Sequence, residues 1–141
     1  MEASAVTGLR TELVAALAAS TDRLRSTIRG ELDKGITLEA GRQLQFEIDD
    51  FFFGITLCAN EESILPGEWL DGALPKDWFD RAEQAEVDWN AIIIEELCPW
   101  FAGCWQAVGG PGAFSPAYLF FHLRPQEQYD LEGRRWVSFG T

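Results

Sequence analysis

Apolar residues in the first third of the chain recur with the period of an α-helix. Leucine and isoleucine stand four or seven positions apart, at Leu9, Leu13, Leu17, Leu24 and Ile28. Alanines lie between them and charged residues lie opposite, which is typical of a helix that buries one face. The pattern predicts a long amphipathic helix over residues 5–34, with Gly35 as its C-terminal cap.

Strand-like patterns follow in three places. Over residues 44–48 apolar and polar positions alternate, which predicts a strand with one wet face. Residues 51–59 are apolar on both faces and predict a hairpin or bulged continuation that leads into a buried strand. Residues 118–123 form a short apolar run between prolines, typical of a central strand, and residues 129–131 and 135–139 predict a closing hairpin.

Helical spacing returns in the second half of the chain. A short helix is predicted over residues 76–84, and a longer, Trp-rich helix begins after Asp88, a suitable N-cap, and ends at Gly109. Pro99 predicts either a kink or the start of a new helix. Residues 60–77 are rich in Pro and Gly and are interpreted as a loop, and residues 109–112 are interpreted as a turn.

These elements predict an α+β fold in one globular domain that spans residues 1–141. The long N-terminal amphipathic helix and the Trp-rich second helix are expected to pack on a mostly antiparallel sheet of about four to five strands. A composition that is 47% hydrophobic, with ten Phe and six Trp, supplies the core.

The cysteines and the apolar stretches bear on the compartment. Three cysteines are an odd number in a chain without a secretory signal, which favours reduced thiols and a cytoplasmic location. Residues 97–123 carry no Lys, Arg, Asp or Glu, but prolines and glycines interrupt them. We therefore expect this stretch to be folded core and not a membrane span.

Charge is distributed very unevenly along the chain. Residues 44–104 hold fourteen acidic and two basic side chains, which accounts for the whole net charge of −12. Such a surface repels nucleic acid and anionic lipid and attracts a basic protein. Many proteins are acidic for solubility alone, and the count by itself leaves both interpretations open.

Acidic residues accompany tryptophan on irregular sequence between residues 61 and 88. Tryptophan in a desolvated centre surrounded by charges is typical of a binding hot spot. The candidate partner-binding residues are Glu62, Glu68, Trp69, Asp71, Asp77, Trp78 and Asp80. The alternative is that both tryptophans cover the core beneath the loop.

Catalytic and metal-binding patterns are sparse. His122 is the one histidine, and a Cys–His pair with Cys58 or Cys104 would suit a small hydrolase or transferase. The alternative for His122 is a hydrogen-bonded residue of its strand. Glu47 and Asp49 share the wet face of the first strand, where a solvated face is the simpler interpretation. No spacing is typical of a metal or cofactor site, so none is predicted.

In its size, acidity and lack of a catalytic motif, the chain resembles the small cytoplasmic immunity proteins that neutralise antibacterial toxins. That resemblance implies a non-enzymatic binding module that presents an acidic, Trp-containing surface to a basic toxin. Two alternatives stay open: the Cys–His enzyme, and a bacterial stress or scaffold domain with no single partner. The sequence carries no signal for an oligomeric state.

Overall fold

A computed structural model describes residues 2–49, 53–59 and 61–138. Within these ranges the chain forms five helices: α1 (Glu2–Lys34), α2 (Trp69–Ala73), α3 (Trp78–Gln84), α4 (Trp89–Ala107) and α5 (Gly110–Ala113). It forms six strands: β1 (Leu44–Ile48), β2 (Ile55–Leu57), β3 (Glu62–Leu65), β4 (Ala117–Phe121), β5 (Glu127–Asp130) and β6 (Arg135–Ser138). The fold is α+β, as the sequence predicts.

The long first helix is confirmed and begins slightly earlier than the apolar stripe. Every residue of that stripe is at most 3% exposed, because α1 packs this face on α4 and the shorter helices. Gly35 has a φ of 87°, the left-handed conformation of a helix C-cap, and its N–H donates to the Leu32 carbonyl at 3.2 Å.

The six strands form one mixed sheet in the order β3-β2-β1-β4-β5-β6. Central β1 and β4 run parallel, and the other four pairings are antiparallel. The prediction of a mostly antiparallel sheet is confirmed, and the predicted four to five strands become six. The closing hairpin is β5–β6; residues 51, 52 and 139, which the predicted strands include, lie outside the described residues.

The sheet has one covered face and one open face. Alternate residues of the central strands, such as Phe46 and Leu119, point towards the helices and are at most 1% exposed. Phe46 contacts Phe101 and Trp105 of α4, with ring centroids 4.9 and 5.6 Å apart. The residues between them in each strand are polar on β1 and aromatic on β4. They point to the open face, which carries no helix.

The predicted loop over residues 60–77 is wrong in part, because it contains β3 and α2. Strand β3 pairs with β2 through a register shift between Ile55 and Thr56, which breaks the alternation that would reveal a strand. Helix α2 has five residues and contains Gly72, so its sequence carries no helical signal. Burial of Trp69 and Leu70 stabilises this turn of helix.

The Trp-rich helix α4 begins where the sequence predicts. Asp88 is its N-cap and accepts a hydrogen bond from the Ala91 N–H at 3.2 Å. The helix continues through Pro99, so no new helix starts there; the burial of Leu97, Cys98 and Phe101 on either side outweighs the roughly 3 kcal/mol cost of a proline. The predicted turn after it contains the one-turn helix α5.

Candidate functional site

The seven predicted partner-binding residues fall into three groups. Trp69 and Trp78 are buried, Glu62 and Asp77 form ion pairs, and the other three are exposed carboxylates. The structure therefore separates the tryptophans from the charges that surround them in sequence.

The two tryptophans belong to the core, which corrects the expectation that they anchor a partner. Trp69 is 6% exposed, stacks on Trp100 and donates its indole N–H to the Phe53 carbonyl at 2.6 Å. Trp78 is 0% exposed and donates to the Leu9 carbonyl at 2.9 Å. Their polar atoms are satisfied inside the protein, so the alternative, in which they cover the core, is confirmed.

Cations from outside α4 compensate part of the acidic segment. Arg10 of α1 contacts Glu95 and Glu96 at 3.1 and 2.8 Å, and Lys34 contacts Glu62 at 3.4 Å. The negative charge that the sequence concentrates in residues 44–104 is therefore partly compensated in the folded protein, where α1 lies beside α4 and β3.

Arg81, one of the two basic residues of the segment, is itself occupied. Its guanidinium donates to Glu12 at 2.8 Å, a contact that raises the pKa of Arg81, and its Nε lies 3.1 Å from an oxygen of Asp77. Arg81 therefore adds no free positive charge to the outer surface of α3.

Five exposed carboxylates on and beside α2 and α3 form no ion pair with any described residue. We call this set the acidic surface: Glu68, Asp71, Asp80, Glu83 and Glu86. Asp80 and Glu83 are three residues apart on α3 and therefore project from the same side of the helix. Lys76 is the one exposed basic residue between residues 68 and 86, so this surface keeps a strong negative charge.

The Cys–His pair is not formed. The Cys58 N–H bonds to the Gln45 carbonyl, which places Cys58 level with Gln45 across β1. His122 follows Phe121, the partner of Ile48, so it lies four positions further along and on the other side of β1. At strand spacings this is about 13 Å along the sheet and about 10 Å across it.

Cys104 is also out of reach of His122. It lies on α4, which packs on the covered face, whereas His122 follows the inward-facing Phe121 and points to the open face with Phe120. Burial raises the pKa of Cys104, and the Arg25 guanidinium on α1 limits this rise. The structure therefore does not bring His122 together with either thiol that the Cys–His interpretation requires.

We predict that the native thiols are unreactive. Burial raises the pKa of Cys98 to about 12 and also raises the pKa values of Cys58 and Cys104, so little thiolate exists at pH 8. Iodoacetamide at pH 8, followed by mass spectrometry, should modify half-buried Cys58 slowly and the other two hardly at all. All three should react within minutes in concentrated urea; rapid labelling of native Cys104 would contradict the structure.

His122 instead pairs with Glu47 on the open face. Its Nε2 contacts the Glu47 carboxylate, and its ring lies edge-on to Phe120, with centroids 5.2 Å apart. Glu47 belongs to β1 and His122 follows β4, so this pair joins the carboxyl ends of the two parallel strands. The hydrogen-bonded alternative for His122 is confirmed.

A crevice of about 450 Å³ lies beside this pair. Its walls come from four neighbouring strands and the loop after β3: Glu47, Asp49, Gly54, Thr56, Ser63, Leu65, Gly67 and His122. None of these residues is Lys or Arg. The crevice and the acidic surface share a border, because Gly67 of one precedes Glu68 of the other.

Backbone and buried aromatic rings hold the far wall of the crevice. A Cβ on Gly54 would lie 2.9 Å from the Gly67 nitrogen, so these two loops approach too closely for a side chain. Phe53, buried at φ 61°, is held by the Trp69 hydrogen bond and by edge-on contact with Trp89. Sequence patterns reveal neither this wall nor the Glu47–His122 pair, because 75 residues separate the pair.

The molecule is thus an α+β protein with a half-covered mixed sheet, an acidic helical surface and a crevice at the carboxyl ends of its parallel strands. Comparisons with known protein families, characterised proteins and solved structures find no match. Among the described residues, no helix is both long enough and apolar enough to cross a membrane.

Proposed function

We propose that this protein is a non-enzymatic module that binds a protein with a basic surface. Its sharpest form is a cytoplasmic immunity protein that neutralises a basic antibacterial toxin. The observation that carries the proposal is the acidic surface, where five exposed carboxylates form no ion pair with any residue that the structure describes.

Unpaired like charges at this spacing do not stabilise the fold. Carboxylates three residues apart on a helix destabilise it by about 0.2–0.5 kcal/mol, so the Asp80–Glu83 arrangement carries a small cost. A basic partner would convert that repulsion into attraction and would be steered towards the surface over a Debye length, about 10 Å at 0.1 M salt.

Burial of the tryptophans changes the expected mode of binding. With Trp69 and Trp78 inside, the acidic surface acts mainly on the association rate and on partner choice. Binding is therefore expected to depend steeply on salt, and charge substitutions should leave the core intact.

We predict that removing charge from this surface abolishes capture of the partner. At about 50 mM NaCl, capture of the partner by the variant Asp71→Asn/Asp80→Asn/Glu83→Gln should fall by a factor of about ten or more relative to the unmodified protein. The reason is that the attraction between complementary charged surfaces is lost. Asp77 is left unchanged, since it contacts Arg81. The measurement is affinity capture from the native lysate, followed by association kinetics with the purified partner.

A control variant with the same change of charge distinguishes the effect of the acidic surface on binding from the effect of the net charge of the whole protein. Asp22→Asn/Asp33→Asn/Glu39→Gln removes three exposed carboxylates from the neutral N-terminal segment and should capture the partner normally. The proposal requires a basic partner that is lost at about 500 mM NaCl. Equal capture of the partner by both variants would overturn the proposal. It would also be overturned if no protein bound saturably, which is the result that a scaffold domain without a single partner predicts. The toxin form additionally requires that co-expression protects cells from that partner.

A further inference from the structure

The sheet changes direction between β1 and β4. From β1 the chain continues outwards through β2 and β3, and from β4 it continues outwards on the other side through β5 and β6. Because the two connections leave in opposite directions, a gap opens at the carboxyl ends of these parallel strands. In open sheets such a switch point is where ligands most often bind.

The crevice occupies this position and has the size of a small ligand site. Its volume of about 450 Å³ lies in the lower part of the usual range for ligand pockets, about 300–1,000 Å³. A larger hollow, about 530 Å³, lies at the other end of β1, where Arg42 stands beside Glu39 and Glu61. The mixed charge there favours neither sign of ligand, whereas the crevice has a definite chemistry.

The ionisable side chains on the described crevice walls are two carboxylates, Glu47 and Asp49, and the imidazole of His122. Glu47 lies on β1 and Asp49 is the residue that follows this strand, so at extended spacing the two stand about 7 Å apart on the same side. The hydroxyl-bearing Thr56 and Ser63 face each other across β2 and β3. This combination of carboxylates and hydroxyls suits a cation that donates several hydrogen bonds.

These walls suit an organic cation better than a metal ion. Among the described residues no group of three His, Cys, Asp or Glu side chains is placed to hold a metal ion. A guanidinium is planar and has five N–H donors, so it can bridge two carboxylates and still reach a hydroxyl, whereas an ammonium is a compact point charge.

We propose that the crevice binds the guanidinium of an arginine side chain, with the charge between Glu47 and Asp49 and the stem along the Gly54–Gly67 wall. This extends the proposed function, since it names the side chain that a basic partner would insert beside the acidic surface. The site itself is tested without that partner, so the two proposals succeed or fail separately.

The test uses Nα-acetyl-arginine amide as the probe and amide chemical shifts of the full-length protein as the readout. At low ionic strength the probe should cause saturable shifts at Gly54, Thr56 and Gly67, with a dissociation constant on the order of 1 mM, as expected for so small a ligand. The citrulline derivative, a neutral isostere, should leave these amides unmoved. The lysine derivative should bind several-fold more weakly.

Two variants assign the binding to the crevice. Glu47→Gln/Asp49→Asn should weaken arginine binding at least about tenfold, whereas Asp22→Asn/Asp33→Asn, with the same change of charge on α1, should not. Ser63→Leu fills the crevice from the opposite wall without removing a carboxylate and should weaken binding to a similar extent. Well-dispersed spectra of each variant confirm folding.

Three results would overturn the assignment. They are shifts of the same amides by citrulline, binding of lysine as tight as that of arginine, and a loss of affinity in the α1 control as large as in the crevice variant. The first two exclude a guanidinium site, and the third shows that net charge alone attracts the probe.

Discussion

Replacing Trp78 with alanine is expected to lower the free energy of unfolding by about 3–5 kcal/mol, the usual cost of truncating a fully buried aromatic residue. The indole is 0% exposed, packs edge-on against Phe79 with centroids 5.0 Å apart, and ties α3 to α1 through the Leu9 carbonyl. Domains of this size are stable by about 5–15 kcal/mol, so the loss is a large fraction of the total.

Urea titration followed by far-UV circular dichroism measures this loss. Trp78→Phe keeps most of the volume and removes the hydrogen bond, and should cost about 1 kcal/mol. Trp136→Ala is the matched control, because Trp136 is only partly buried at the sheet edge, where Arg124 lies over its ring at 3.7 Å. If Trp136→Ala proved as costly as Trp78→Ala, the burial of Trp78 would be in doubt.

Gly110→Ala is expected to lower the free energy of unfolding by about 3 kcal/mol through overpacking. A Cβ at this position would overlap the indole of Trp105, which is 1% exposed and held edge-on against Phe46. The ring is buried against the sheet, so relieving the overlap requires the surrounding core to shift. Thermal unfolding monitored by near-UV circular dichroism would show both the loss and any disturbance of Trp105.

Gly112→Ala, two residues away in the same short helix, separates this clash from general effects of removing glycine. Its added Cβ would meet nothing within 4 Å, so alanine should leave stability unchanged or raise it by up to about 1 kcal/mol. Similar losses in both variants would mean that glycine is needed for the backbone of α5 and not for Trp105.

The division between core and surface determines how the binding proposals should be tested. The tryptophans that accompany the acidic residues in sequence are part of what holds the fold together, so their substitution would confuse unfolding with loss of binding. The carboxylates of the acidic surface and of the crevice can be changed with little effect on the core. Charge variants with equal-charge controls are therefore the informative experiments.

The Trp-bearing segment shows where sequence patterns misled. Trp69 and Trp78 stand among carboxylates and prolines, as residues of a binding loop often do. Burial is a property of the packed molecule, and Leu9 of α1, which is 69 residues before Trp78, supplies the acceptor for its indole. No window of sequence around Trp78 contains that information.

Local periodicity was sufficient for the α+β class, for α1, for β1, for β4 as a central strand and for the Asp88 N-cap, because each depends on residues a few positions apart. The short elements β3 and α2 have too few residues to show a period. The location of the net charge in residues 44–104 was likewise evident from the sequence, whereas the contacts by which Arg10 and Lys34 compensate part of it were not.

The sequence by itself thus determined the kind of fold, the main core helices and the acidic character of the middle segment. Only the tertiary structure decided that the tryptophans are internal, that His122 meets Glu47 and not a cysteine, and that a crevice lies at the carboxyl ends of β1 and β4. The physical reason is that each of these depends on contacts between residues tens of positions apart. Such contacts are set by how the helices and the sheet pack, and no local pattern encodes them.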